Sequence, residues 1–258
     1  MEITLHDYIL NPMGKSNAIL SAAIRESQRN NYLVKFNQVL VRENGNIEYH
    51  CYKDEKTNHY WFHAKVPSEH VKKFYYDVVF KFYTNAEGGT KNDLFQWNVQ
   101  FYSNDPAFVY TYVYAFNQRG IFINELKSKM SRIALTTPSK EKNPSEMVGY
   151  CKIIYFAYLI MQNRNLNKIN MFNAQSTQLD PKLFLKSIEN ADKKVEDRQS
   201  QKVSYAKKKS ISQQEYEHVK RVTGASHINN INVRTTKRIN KITNVGTTKS
   251  VGRIGRKK

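Results

Sequence analysis

The sequence predicts an α+β fold: an N-terminal helix, an antiparallel sheet of about six strands, C-terminal helices and a basic extended tail. Three observations carry this. Runs of aromatic and β-branched residues separated by short turns fill residues 36–116. Apolar residues recur at helical spacing before and after that stretch. Charge is segregated: residues 191–258 hold 18 basic and 5 acidic side chains, a net of +13 out of +19 for all 258 residues.

The first helix is expected over about residues 16–28. Ser16 can cap it, and Ile19, Leu20, Ala23 and Ile24 form one apolar face after the turn residues Pro12 and Gly14. Phe36–Tyr52 then reads as a hairpin, with Val39, Leu40 and Val41 leading into a turn centred on Asn44-Gly45 and Ile47–Tyr52 leading away. Asp54–Asn58 gives a second return into Tyr60–Val66, which Pro67 closes. Three further strands are expected at Tyr75–Tyr83, Leu94–Tyr102 and Phe108–Phe116, separated by 85–90 and by Asn104-Asp105-Pro106. Phe95, Trp97, Val99 and Phe101 alternate with Gln96, Asn98 and Gln100, which predicts one wet face for that strand.

Helices are expected to follow Gly120. A short one covers 123–133, and a longer one covers 144–162 with Pro144 in its first turn. The longer helix is apolar over most of its circumference, so it should be buried on several sides, within the fold or against a partner subunit. Asp180-Pro181 opens a helix over 181–190 with Leu183, Phe184, Leu185 and Ile188 on its apolar face. Residues 1–190 are thus read as the folded domain. Residues 191–258 are read as a tail too poor in apolar residues to fold alone. That tail repeats itself imperfectly: Asn232–Lys237 aligns with Asn244–Lys249 twelve residues on.

Candidate chemistry is sparse. Gly14-Lys15-Ser16 resembles the end of a phosphate-binding loop, but Ile9 stands where its first glycine would be. His59 and His63, near His50 and His70, have a spacing that suits metal binding on a helix. On a strand, residues four apart lie about 13 Å from each other, so these read as sheet-surface histidines. Cys51 and Cys151 are the only cysteines, which suits buried free thiols in a reducing compartment. No glycine elbow surrounds a serine, and no zinc ligand set, cofactor motif or metal site is evident, so the chain is not expected to be an enzyme. Lys72, Lys73, Phe74, Tyr75, Tyr76, Lys81, Phe82 and Tyr83 interleave bases with rings and could stack on nucleic-acid bases, although alternate aromatics on strands are commonly core. The longest apolar run, near Ile153–Met161, is far short of the ~20 residues that span a bilayer. Met1–His6 lacks a signal-peptide layout, so neither secretion nor membrane insertion is expected.

Two stretches add a resemblance. Asn11-Pro12-Met13-Gly14-Lys15-Ser16-Asn17-Ala18-Ile19-Leu20, and the run from Asp93-Leu94-Phe95-Gln96-Trp97 through Phe116-Asn117-Gln118-Arg119-Gly120-Ile121-Phe122, look like late-gene virion proteins of bacteriophages with AT-rich genomes. Over roughly residues 1–165 the element order is similar to head–tail connector and tail-terminator proteins. The long C-terminal portion departs from the smallest of these. The resemblance implies a structural protein of the head–tail junction or tail, located in the virion after assembly in the host cytoplasm. Its partners would be other virion proteins and further copies of itself. The tail would contact an acidic neighbour or packaged DNA through Arg234, Lys237, Arg238, Lys241, Arg253, Arg256, Lys257 and Lys258. The competing expectation is a non-catalytic nucleic-acid-binding protein of replication, packaging or regulation. An enzyme whose site is assembled from scattered residues is the third.

Overall fold

The computed structural model describes residues 2–10, 22–86, 91–144, 146–149, 151–177 and 181–200. Met1–Arg198 belongs to one compact unit. Its fold is α+β, built on a five-stranded mixed sheet of order β4-β3-β2-β1-β5. The strands are β1 (Tyr49–Asp54), β2 (His59–Pro67), β3 (Tyr75–Asn85), β4 (Trp97–Ser103) and β5 (Ser176–Thr177). The first four are antiparallel neighbours, whereas β5 runs parallel to β1. The sheet therefore has one strand fewer than expected and one parallel edge.

Directly opposed residues share a face, so the pairing register sorts the sheet into two surfaces. On the first lie Cys51, Phe62, Phe80 and Phe101 in one cross-strand row, flanked by Tyr60, Phe82 and Val99 and by Ala64 and Val78. All are buried. This face packs on α1 (Leu5–Leu10), α4 (Val113–Gln118) and α6 (Lys152–Asn163), with Tyr8 4.8 Å from Phe101 and Phe116 5.6 Å from Phe101 between ring centres. Helix α6 presents buried side chains all round, from Ile153 to Met161, and α2 (Ala22–Arg42) lies against it through Phe36 and Phe156. Its burial lies within this one chain, not against a partner.

Helix α2 corrects the first part of the sequence reading. The start expected at Ser16 lies outside the described residues. The helix continues to Arg42, so Phe36–Val41 is helical and not the first arm of a hairpin. The reason is the ambiguity of Asn44-Gly45. Asn44 (φ 53°) and Gly45 (φ 75°) are left-handed, and Gly45 N–H donates to Leu40 C=O at 2.8 Å while Asn44 N–H donates to Val41 C=O at 3.1 Å. This is a helix-terminating motif that uses the same dipeptide a hairpin would. The chain then enters β1 as expected.

Phe108–Phe116 is also helical, as α3 (Pro106–Thr111) and α4. Its β propensity is overridden by a cap: the Asp105 carboxylate accepts from Ala107 N–H (3.0 Å) and Phe108 N–H (3.2 Å), with Pro106 in the first turn. Leu94–Gln96 forms a 3-10 turn before β4, so that strand starts at Trp97. The helix expected at 123–133 is a 3-10 stretch, Asn124–Lys129, followed by α5 (Arg132–Thr136). The helix expected from Pro144 begins only at Lys152. The Asn143 side chain holds both backbone groups of Met147, accepting from its N–H at 2.8 Å and donating to its C=O at 2.9 Å, and Glu146 is left-handed at φ 49°. The Tyr8 hydroxyl then donates to Gly149 C=O and accepts from Cys151 N–H, guiding the chain into α6.

The wet face expected on β4 is closed in part: Asn98 is buried, bridging to Thr4 and donating to Glu2, while Gln96 and Gln100 stay half-buried. At the outer edge of β4, Phe101 N–H donates to Ile121 C=O and Ile123 N–H donates to Phe101 C=O. After α7 (Ile169–Gln175) and β5, α8 (Pro181–Ser187) ends three residues earlier than expected. A further helix, α9 (191–200), stands where the tail was expected to begin, and its Ala191 and Val195 are buried. The eight tail residues named as the polyanion contact, the tail repeat and Gly14-Lys15-Ser16 lie outside the described residues.

Candidate functional site

The second face of the sheet is chemically unlike the first. Its cross-strand rows are Tyr52, Trp61, Lys81 and Gln100, then His50, His63, Val79 and Tyr102, then Lys65 and Asp77. Rings, imidazoles and charges thus occupy a surface that a globular core would fill with aliphatic side chains. The cover is the segment 181–198, comprising α8, a short link and the beginning of α9. Its buried side chains are Phe184, Ile188, Ala191 and Val195.

Asp77 is the hub of this face. The side chain is 1% exposed, and its carboxylate accepts from His63 Nε2 (2.9 Å), Lys65 Nζ (3.0 Å), Asn104 Nδ2 (2.9 Å) and Glu189 N–H (3.2 Å). Asn104 returns the contact by accepting from Asp77 N–H at 2.8 Å. Burial alone would raise the carboxyl pKa. The hydrogen bonds and charges of His63 and Lys65 outweigh it, so the pKa falls to about 2. The Lys65 ammonium answers in the opposite direction: burial lowers its pKa, and the Asp77 charge more than restores it. The effect is to fasten strands β2 and β3 and the loop at Asn104 to the cover. Tyr102 adds a bond from its hydroxyl to Glu189 C=O at 3.1 Å, and Lys129 Nζ donates to Lys186 C=O at 3.2 Å.

His63 corrects the reading of sheet-surface histidines: it is 3% exposed, whereas His50 across the strand is open to solvent on one side and bonds Glu48 at 3.1 Å. The two rings lie 5.9 Å apart. Among the described residues no group of three or more His, Cys, Asp or Glu side chains is placed to hold a metal ion. Cys51 and Cys151 are free and buried, the first in β1 and the second at the N-cap of α6. Burial pushes both thiols up, Cys51 to about 12 and Cys151 further. No described helix is long and apolar enough to cross a membrane.

The interleaved run at 72–83 is divided by the sheet. Phe74, Tyr76, Phe80 and Phe82 are buried, and Lys72 and Lys73 are exposed in the loop before β3, so the run as a whole presents no stacking surface. The rings that share a face with the basic side chains include Tyr52, Trp61 and Tyr102, and from the run itself Tyr75, which is half-buried and lines the cleft beside Lys65. The sequence held the necessary signal in the alternation of β2, where Trp61, His63 and Lys65 fall on one side. Its meaning required knowing which side.

Near Lys65 the network reaches solvent through a cleft of about 380 Å³ between Asn46, Ile47, Glu48, Lys65, Tyr75 and Arg164. A second polar cluster pins the loop after β2. Glu69 pairs with Lys152 and with Lys35 (3.5 Å), and the Arg42 guanidinium donates to Ser68 C=O (2.6 Å) and Glu69 C=O (3.0 Å). Comparison with known proteins returns no match: no family model fits the chain, and no curated protein and no solved structure is significantly similar to it.

Proposed function

We propose that this chain is a structural protein of a bacteriophage virion, placed at the head–tail junction or in the tail. It assembles with copies of itself through the folded unit, and its basic C-terminal arm contacts an acidic neighbour or packaged DNA. The observation that carries the reading is charge segregation: ten basic side chains and no carboxylate between Arg221 and Lys258, against a folded portion of much lower charge density. Such an arm gains affinity for polyanions by releasing counterions, and its contact weakens steeply with salt. The apolar side chains left on the surface support the assembly part. Val34 and Val41 lie seven residues apart on the outer face of α2 at 57% and 77% exposure. Helix α6 and the sheet are spent on the fold itself, so subunit contacts would fall on outer helix faces such as that of α2.

The test is the solution mass of the full chain at high salt, with duplex DNA binding measured across a salt series. A ring-sized oligomer, together with loss of polyanion binding when Arg234, Lys237, Arg238 and Lys241 are changed to Gln, is the expected result. Unchanged binding in that variant would remove the arm from the reading. A monomer that binds DNA with a steep salt slope would instead favour the second reading, a non-catalytic nucleic-acid-binding protein. The carboxylate-free stretch supports that alternative equally well.

A further inference from the structure

The cover over the second sheet face is thin for what it hides. Phe184 lies flat on Tyr52, with ring centres 4.4 Å apart and planes 12° from parallel. The Trp61 ring stands 5.6 Å away edge-on, and the His63 ring 5.9 Å away. Lys81 Nζ sits 5.1 Å from the Trp61 ring centre. The Trp61 indole N–H is buried and finds no acceptor among the described residues, which is costly for a group that normally has one. Leu183, next to Phe184, is 57% exposed. Apart from Phe184, the described residues of the cover bury only Ile188, Ala191 and Val195, and the segment is otherwise held by polar contacts to Asp77, Tyr102 and Lys129 and by Lys194 and Arg198 over the Phe74 and Tyr76 rings.

A surface of stacked rings beside lysines, with an unused indole donor, has the chemistry that holds unpaired bases: rings take the base faces and ammonium groups take the phosphates. We infer that segment 181–198 is a displaceable cover over a single-stranded nucleic-acid site, and that Phe184 occupies the place of a base. Tyr52 and Trp61 are the stacking residues, Trp61 Nε1 donates to a base or phosphate oxygen, and Lys81 takes a backbone phosphate in exchange for Glu125, which is 39% exposed and returns to water. The buried carboxylate of the site, Asp77, stays matched by His63 and Lys65. Lifting the cover removes only one of the four bonds to Asp77, that from Glu189, so the sheet surface stays organised when exposed. The inference is separate from whatever the basic arm binds.

The test uses the full chain carrying Trp97→Phe, which leaves Trp61 as the one tryptophan. A short oligothymidylate is titrated at salt high enough to suppress arm contacts. Expected are quenching of Trp61 fluorescence and faster amide exchange across 184–195 on binding. Phe184→Ala removes the internal competitor and should bind about tenfold more tightly, since affinity scales with the fraction of molecules already open. Phe184→Leu, which keeps the cover packed but loses the flat ring, should also tighten binding. It decides the matter if the alanine variant fails to fold. Trp61→Ala, read by the anisotropy of a dye-labelled oligothymidylate because the reporter ring is gone, should abolish binding. Absence of quenching, unchanged affinity in a folded Phe184 variant, or quenching without faster exchange in the cover would each overturn the inference. Binding that disappears only with the Arg234, Lys237, Arg238 and Lys241 substitutions would also overturn it, while leaving the arm's role intact.

Discussion

The carboxylate of Asp77 on β3 accepts a hydrogen bond from the backbone N–H of Glu189, 112 residues further along the chain. A single buried charge thereby joins the centre of the sheet to its C-terminal cover. Asp77→Ala leaves His63 and Lys65 facing a hole and the Glu189 N–H without its acceptor. Removing one member of such a buried ionic cluster costs on the order of 3–5 kcal/mol. Urea unfolding should move by that amount, and amide exchange should quicken first in 184–195.

The same carboxyl sets an acid limit. Its folded pKa of about 2 lies below the ~3.9 of an unfolded aspartate, so its contribution is fully present above about pH 4. It is lost as pH falls through about 2, and amounts to roughly 2.5 kcal/mol at most. Comparing urea midpoints of the wild type and Asp77→Ala at about pH 5 and about pH 2 isolates this group. The gap between the two proteins should narrow at the acid end.

Gly45 has open space where a Cβ would sit, so its substitution tests backbone conformation alone. At φ 75° an alanine is strained, and Gly45→Ala should cost about 1 kcal/mol without changing helix content by circular dichroism. A neutral result would mean that the end of α2 relaxes easily.

Both thiols should be silent toward a disulfide reagent at about pH 8 in the native protein. The reactive species is the thiolate, and burial holds Cys51 near 12 and Cys151 higher. Labelling should follow the rate of unfolding and become fast in denaturant. Rapid native labelling of either would show that its surroundings open locally.

The strands legible in the sequence are those whose neighbours punctuate them: β2 between Asn58 and Pro67, and β3 with its dense aromatic run. The two segments read as strands that fold as helices share one cause. Asn44-Gly45 and Asp105-Pro106 are local signals with two physical meanings, and β propensity points to the wrong one at Phe36–Val41 and Phe108–Phe116. Asp180-Pro181, the same dipeptide as Asp105-Pro106, reads as a helix start because no unbroken run of β-formers follows it, only Phe184 and Ile188 at helical spacing. The Asp77 cluster is not legible at all. Its partners come from 63, 65, 104 and 189, and only the strand register and the path of the cover bring them together.

The outer edge of β4 is occupied by the backbone at Ile3, Ile121 and Ile123, and the opposite edge ends in the two-residue strand β5. Seventeen tyrosines and thirteen phenylalanines, many of them on strands, make this chain rich in segments that could seed fibrils. With one margin occupied and the other shortened to two residues, a neighbouring copy finds little ladder to extend. Crowded copies can then meet through helices without their sheets fusing.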